Sequence, residues 1–292
     1  MRSRAGVFWY SLGLTLLLLL PLIGGTVFFL YQRQQQNEMR QAAAERGGLP
    51  IEQGAQDTWC ALLVVQQEEP GFVLVRADGP AQQLTLCGLP AQLQVAAPAG
   101  TTTLGACTLS AGPGRAVQLL GQTVATGETA VRELYYLSAT PACWADCVGE
   151  EAVARLDTAA LLTKEERESI GLGEDPVAEV GAADAGELIN QLQECLDEPG
   201  KQADARAAVW EAFVRQNADL LSAMPAAWRE ASARTLTDLM ATDLGALEQT
   251  LDYLSAQPGL QVSYCSAQTR DAGNGEVLLT DAGMQTLRTL LQ

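Results

Sequence analysis

Between Thr58 and Pro90 the chain carries three short apolar runs, and they restrict the fold more than any other stretch. They are Thr58-Trp59-Cys60-Ala61-Leu62-Leu63-Val64-Val65, then Phe72-Val73-Leu74-Val75, then Gln83-Leu84-Thr85-Leu86-Cys87 leading into Gly88-Leu89-Pro90. A polar Gln66-Gln67-Glu68-Glu69-Pro70-Gly71 turn separates the first two. Runs of about 4 to 7 apolar residues bounded by Gly, Pro or charge predict buried strands, because a helix wants 10 or more. Most of the chain after Pro90 reads as helical, so these strands predict the sheet on which helices pack.

Charge and composition remove several classes of function. The chain has 292 residues, a formal net charge of −17, and no histidine. Residues 1–31 contribute +2 through Arg2 and Arg4, which leaves −19 for the remainder. A surface that acidic repels phosphate backbones, so no nucleic-acid partner is expected. Without histidine there is no Ser-His or Cys-His nucleophile pair, and most zinc sites are lost as well. Chemistry, if present, has to run on carboxylates, arginines or an oxygen-bound metal.

Val7 to Tyr31 is uncharged and almost wholly apolar, about 25 residues, which is enough to cross a bilayer as a helix. Trp9, Tyr10 and Tyr31 stand where interfacial aromatics belong, and no small-residue cleavage site follows Gly25. The expected organisation is a cytoplasmic leader and transmembrane signal anchor over 1–31, a polar stalk over 32–57 and one folded domain over 58–292. That is a single-pass protein of the cell membrane, with the membrane as a partner through residues 7–31 and the C-terminal domain extracytoplasmic. Basic residues on the two sides of the span are near parity, so the short leader and large acidic tail set this orientation.

Further along, Gln92 to Val95 reads as a fourth strand. Thr101-Thr102-Thr103 is expected to cap a helix to Leu109, and Gly112-Pro113-Gly114-Arg115 to open a second. Leu134 to Leu137 is a predicted strand, and Pro141 starts a helix. From Thr163 onward the pattern is helical, with Glu187–Leu196, a continuous helix over Asp204–Met224, and Asp243–Ala256. Leu260 to Cys265 alternates as a strand, Asp271 to Gly275 is a turn, and Thr280 to Gln292 closes the chain as a helix. In the long helix Val209, Phe213, Leu220 and Met224 share a face that Trp210, Val214 and Leu221 widen, which predicts burial on more than one side. The fold class is α/β: an α/β/α sandwich with a mixed central sheet, preceded by one transmembrane helix.

The order of these features resembles the LytR–CpsA–Psr family over residues 58 to 292. Leu62-Leu63-Val64-Val65 and Phe72-Val73-Leu74-Val75 resemble its first strands, and Gly88-Leu89-Pro90 the strand ending in a Ser-Ile-Pro-Arg-Asp-like corner. Thr103-Leu104 through Gly112-Pro113-Gly114, Arg215-Gln216 and Thr242-Asp243-Leu244 are similar to later family segments. The resemblance implies transfer of a glycopolymer from a polyprenyl pyrophosphate to peptidoglycan, with arginines and a Mg-binding carboxylate neutralising the pyrophosphate. This chain departs from that pattern. Gln67 stands where the family has Asp, Glu68-Glu69-Pro70 replaces Arg-x-Asp, Ala91-Gln92 replaces Arg-Asp after Pro90, and Ala212 replaces an Arg.

The expectation is therefore a LytR–CpsA–Psr-like envelope protein acting as a binding or scaffold component in cell-wall glycopolymer assembly, catalytically degraded, with a polyprenyl lipid or an envelope-assembly protein as partner. An active but diverged phosphotransferase and an unrelated anchored α/β module are the alternatives. No cofactor is expected, with Mg only if the active alternative holds, and no metal site. No catalytic residue is assigned. The candidate ligand contacts are Arg115, Arg215, Arg76, Gln67 and Gln92. For Arg215 a salt bridge to a nearby acid is the plainer reading. Of the seven cysteines, Cys143 and Cys147 share a helical face, while Cys60 and Cys87 lie in strands that could neighbour and form a disulfide; buried thiols are the default.

Overall fold

A computed structural model describes residues 54–98, 100–125, 133–149, 151–172 and 175–292. The expected span over 7–31 and the stalk up to residue 53 lie outside them. Among the described residues no helix is long and apolar enough to cross a membrane.

The three runs form β1 (Thr58–Val65), β2 (Gly71–Asp78) and β3 (Gln83–Leu89), an antiparallel meander. β4 (Gln94–Ala97) and β5 (Gly100–Thr103) make a separate hairpin, so the fourth strand does not join the main sheet and Thr101-Thr102 are strand residues. Thr103 caps α1 (Leu104–Ala111), its hydroxyl accepting from the Ala106 N–H at 3.1 Å. Gly112, at φ +87°, turns the chain into α2 (Pro113–Val124). β6 (Leu134–Ala139) leads to α3 (Pro141–Val148), capped by Thr140.

The next region corrects the helical expectation. β7 (Val153–Asp157) and β8 (Val177–Gly181) pair antiparallel around α4 (Lys164–Ser169), which opens on a reciprocal Thr163–Glu166 capping box. α5 (Ala185–Cys195) follows, and the helix expected over Asp204–Met224 is two: α6 (Pro199–Gln216) and α7 (Leu220–Glu230). Asn217 breaks them at φ −134° and ψ 64°, its side-chain amide donating to Val153 O and Phe213 O. β9 (Thr235–Thr237) precedes α8 (Ala241–Ser255) and β10 (Gln261–Ser266). The expected 271–275 turn belongs to a hairpin of β11 (Thr269–Gly273) and β12 (Glu276–Leu279), before α9 (Asp281–Leu291).

The main sheet runs β10-β3-β2-β1-β6-β9 and is mixed, with β3/β10 and β1/β6 parallel and its other pairs antiparallel. Because side chains alternate across a strand, its two faces carry different cores. Cys60, Leu62, Val64, Phe72, Leu74, Cys87 and Leu89 pack under α1, α2 and α9. Leu63, Val73, Ala77, Leu84, Leu86 and Leu137 pack under α3 and α5 to α8. The α/β/α sandwich with a mixed sheet is thus present. The breadth expected around Val209 and Trp210 is present too: α6 is buried almost continuously from Ala205 to Val214.

One strand pairing differs from expectation. β2 lies between β1 and β3, and Cys60 pairs with Arg76 while Cys87 pairs with Leu74. Strands are about 4.8 Å apart, so Cys60 and Cys87, two strands and two residues apart, lie beyond disulfide reach. None of the seven cysteines is in a disulfide.

Candidate functional site

The second face of the sheet is not filled. Between Trp59, Ala61, Leu63, Val75, Ala77, Leu84, Leu86 and Leu137 on the strands and α6, α7 and α8 above them lies a cavity of about 90 Å³. Trp210 and Val214 come from α6, Leu221, Met224, Pro225 and Trp228 from α7, and Leu244, Leu247 and Leu251 from α8. A cavity with this lining gives water almost no hydrogen-bond partners, so it favours an apolar occupant over solvent. The Trp59 indole donates to Thr250 Oγ1 at 3.1 Å, whereas among the described residues the buried indole N–H groups of Trp210 and Trp228 have no hydrogen-bond acceptor. Trp144 stands between them, 5.3 Å from Trp210 edge-on and 5.0 Å from Trp228, and its own N–H reaches Val64 O at 3.3 Å.

A cation lies beyond one end of this apolar track, outside the cavity, whose lining does not include it. Arg206 lies one helical turn before Trp210 on α6, hence on the same face. It is 4% exposed. Its guanidinium packs on Gly71, where an added Cβ would fall 2.7 Å from Nε. Gly71 starts the row Gly71, Val73, Val75, Ala77 along β2, so the distance from the cation to the cavity wall at Val75 is about 13 Å of strand. Among the described residues Arg206 has no ion pair within 4 Å. Burial lowers its pKa to about 10, opposed by the charge of Glu69, so it remains cationic at neutral pH. An unpaired buried charge is costly, and an anion supplied from outside would offset that cost.

The approach of α6 that places Arg206 depends on a second glycine. A Cβ at Gly88 would lie 1.8 Å from the Ala203 carbonyl oxygen, so no other residue lets the helix lie this close to the end of β3. Beside it, Asp204 is raised above the usual carboxylate range by burial, opposed by a hydrogen bond with Ser266.

The sequence candidates divide between this corner and more distant places. Gln67, in the β1–β2 turn, and Gln92, just past β3, lie at the same end of the sheet as Gly71. The Gln92 amide donates to the Glu69 carboxylate, and its backbone carbonyl accepts from Val277 N at 3.1 Å. Arg76 lies at the opposite end of β2, donating to the Thr289 and Leu290 carbonyls and pairing with Asp78 at 2.8 Å, so it caps the C-terminus of α9. Arg115 bonds Gln118 at 2.5 Å in the first turns of α2, on the other face of the sheet. Arg215 pairs with Glu211 at 2.7 Å, about 13 Å along α6 from Arg206. Its neighbour Gln216 bonds both the N–H and C=O of Arg155 and so fastens β7 to α6.

Sequence reasoning missed Arg206, which followed none of the quoted motif positions. Its signal was local: a single cation between Ala203, Ala205, Ala207, Ala208 and Val209, on a stretch that patterning already marks as buried. Asp271 accepts from the Gly273 N–H, Glu276 bonds Gln94, and among the described residues no three acidic or thiol side chains are placed to hold a metal.

No protein-family model matches the chain, and no curated protein matches it in sequence. Solved structures do match. One is a Eubacterium siraeum protein described as a transcription regulator, at TM-score 0.63 and 12% identity, covering 83% of this chain and 93% of that one. TagT bound to LIIa-WTA matches at TM-score 0.58 and 11% identity, over 82% and 91%. Bacillus subtilis TagV matches at TM-score 0.53 and 11% identity, over 81% and 96%. The chain has the LytR–CpsA–Psr fold. At such low identity the likeness concerns backbone architecture, and in this LytR–CpsA–Psr fold the apolar track and its buried arginine belong to the chain's own side chains.

Proposed function

We propose that this protein is a binding or scaffold component in cell-wall glycopolymer assembly that holds an anionic polyprenyl lipid, its tail along the apolar track and its head at the Arg206 corner. The carrying observation is a buried guanidinium, without an ion pair among the described residues, one helical turn from Trp210, which lines the apolar cavity. A hydrocarbon tail removes apolar surface from water along Val75, Leu86 and Trp210, and a phosphate supplies the counter-charge that Arg206 lacks. TagT, which shares the fold, was solved with LIIa-WTA bound, and that supports the same class of ligand here.

Binding rather than transfer is the reading the corner favours. A pyrophosphate leaving group wants several cationic forks or a metal, and one arginine beside Glu69 provides far less charge. Glu69 is tied to Gln92 and Glu68 is exposed, so the acids here do not converge on one ion. The membrane anchor over 7–31 and an extracytoplasmic position belong to the same proposal, since a carrier lipid is met at a bilayer surface.

The test titrates the full chain in detergent with geranylgeranyl pyrophosphate, following tryptophan emission, with and without Mg²⁺. Saturable quenching that weakens at least tenfold in Arg206→Met, with no phosphate released, is the expected result. No saturable change overturns the lipid site. Mg-dependent release of phosphate replaces the scaffold reading with the diverged phosphotransferase.

A further inference from the structure

We propose that Cys87 and Cys265 form a redox-modification site, a dithiol that closes to a disulfide fastening β10 to β3. The register places the two residues directly opposite each other in the parallel pair β3/β10. Adjacent strands hold opposed Cα atoms about 4.8 Å apart, inside the range a disulfide spans. Both side chains lie on the face packed under α1, α2 and α9, so they point the same way. β10 is the outer strand of the sheet, hydrogen-bonded on one side only, and it has the freedom to close the last few tenths of an ångström.

The pair is also asymmetric in the way thiol–disulfide exchange needs. Cys265 is half-buried while Cys87 is fully enclosed. The interaction between the two thiols lowers the pKa of Cys265 and raises that of Cys87, which burial raises further. Cys265 is therefore the thiol of the pair that ionises more readily and is the more accessible to an external oxidant. Its sulfur attacks one sulfur of a disulfide oxidant, the oxidant's S–S bond breaks, and its other sulfur leaves as thiolate. Cys87, losing its proton to solvent, then attacks the Cys265 sulfur of the mixed disulfide and expels the second thiolate. Two protons and two electrons leave the pair, and the oxidant's disulfide is reduced to two thiols. The other close pair, Cys143 and Cys147, is buried one helical turn apart on α3, and burial with Cys143 beside it pushes the Cys147 thiol up to about 12, so it offers an oxidant little thiolate.

The bond closes a loop of about 180 residues. It would fix the end of β3 where Gly88 meets Ala203, next to Asp204 and Ser266. This inference stands apart from the lipid reading, since it concerns thiols on the opposite face of the sheet.

The experiment equilibrates the full chain with oxidised glutathione, quenches with acid, counts free thiols after denaturation and maps linked peptides without reduction. The expected result is a fall from seven thiols to five, a Cys87–Cys265 peptide, and a Tm higher by roughly 10 °C. Because Cys87 is fully enclosed, Cys265→Ser carries the test: it should keep all six thiols, while Cys195→Ser should fall from six to four. Seven thiols remaining, a single glutathione adduct without a cross-link, a linked peptide joining another pair, or continued loss of two thiols in Cys265→Ser would each overturn the proposal.

Discussion

The two faces of the central sheet are built from alternate residues of the same strands, yet they end in different states. Under α1, α2 and α9 the residues Leu62, Val64, Phe72, Leu74 and Leu89 are completely enclosed, with Leu104, Leu120 and Leu287 closing over them. Under α6, α7 and α8 the corresponding row leaves about 90 Å³ empty and, among the described residues, two indole N–H groups without acceptors and a guanidinium without a carboxylate. Packing to crystal-like density is the ordinary outcome for a core. A face that falls short of it while also burying polar groups is organised around something besides stability, and here it is the face that carries the proposed ligand.

This contrast is most exposed to tests that treat the faces alike. Phe72→Ala on the closed face should lose about 3–5 kcal/mol in denaturant unfolding with little effect on the intrinsic lipid affinity of the folded fraction. A loss below about 1 kcal/mol would mean the closed face is looser than it looks. Arg206→Met should raise stability by about 1–3 kcal/mol, because an unpaired buried charge is replaced by an apolar chain of similar length, while lipid affinity falls at least tenfold. If stability drops instead, the guanidinium has partners and the anion argument fails.

Ala61→Leu places new side-chain volume against the cavity. We expect stability to change by less than about 1 kcal/mol and quenching by geranylgeranyl pyrophosphate to weaken about tenfold, whereas overpacking a filled core would cost about 1–3 kcal/mol. The smallest effect concerns pH. Burial raises the carboxyl pKa of both Asp204 and Glu211, with Ser266 and Arg215 respectively opposing it. Above the unfolded carboxylate range the folded chain binds more of these protons than the unfolded chain, so their contribution to stability grows as pH falls from 7 toward about 5. Asp204→Asn should flatten that gain, read as Tm against pH; an unchanged slope would remove Asp204 from the account.

Much of the frame was legible because the physics is local. The runs at Thr58, Phe72 and Gln83 were strands for the reason their length suggested, and Thr103, Pro141 and Thr280 started helices by capping or by fixed φ. The misses also have causes. β7 and β8 are short, alternate buried with charged residues, and pair with each other outside the main sheet, so they present no apolar run. The break between α6 and α7 has no Gly or Pro and is made by Asn217 bonding to β7, a tertiary event that periodicity does not register. Family-like spacing points to Arg215, whereas burial singles out Arg206, nine residues earlier on the same helix.

Gly88 sets the height at which α6 rides over the sheet, and Gly71 leaves the space that the Arg206 guanidinium fills, so the two together fix the depth of the cation. A helix seated on a bare backbone position at Gly88 has no cushion of side chains to absorb error. One methyl group at Gly88 would lift or tilt it, one at Gly71 would push the guanidinium aside, and either would move a recessed charge from its place. The reach of the head-group contact is in this sense gauged by two hydrogen atoms, at positions that take no direct part in recognising anything.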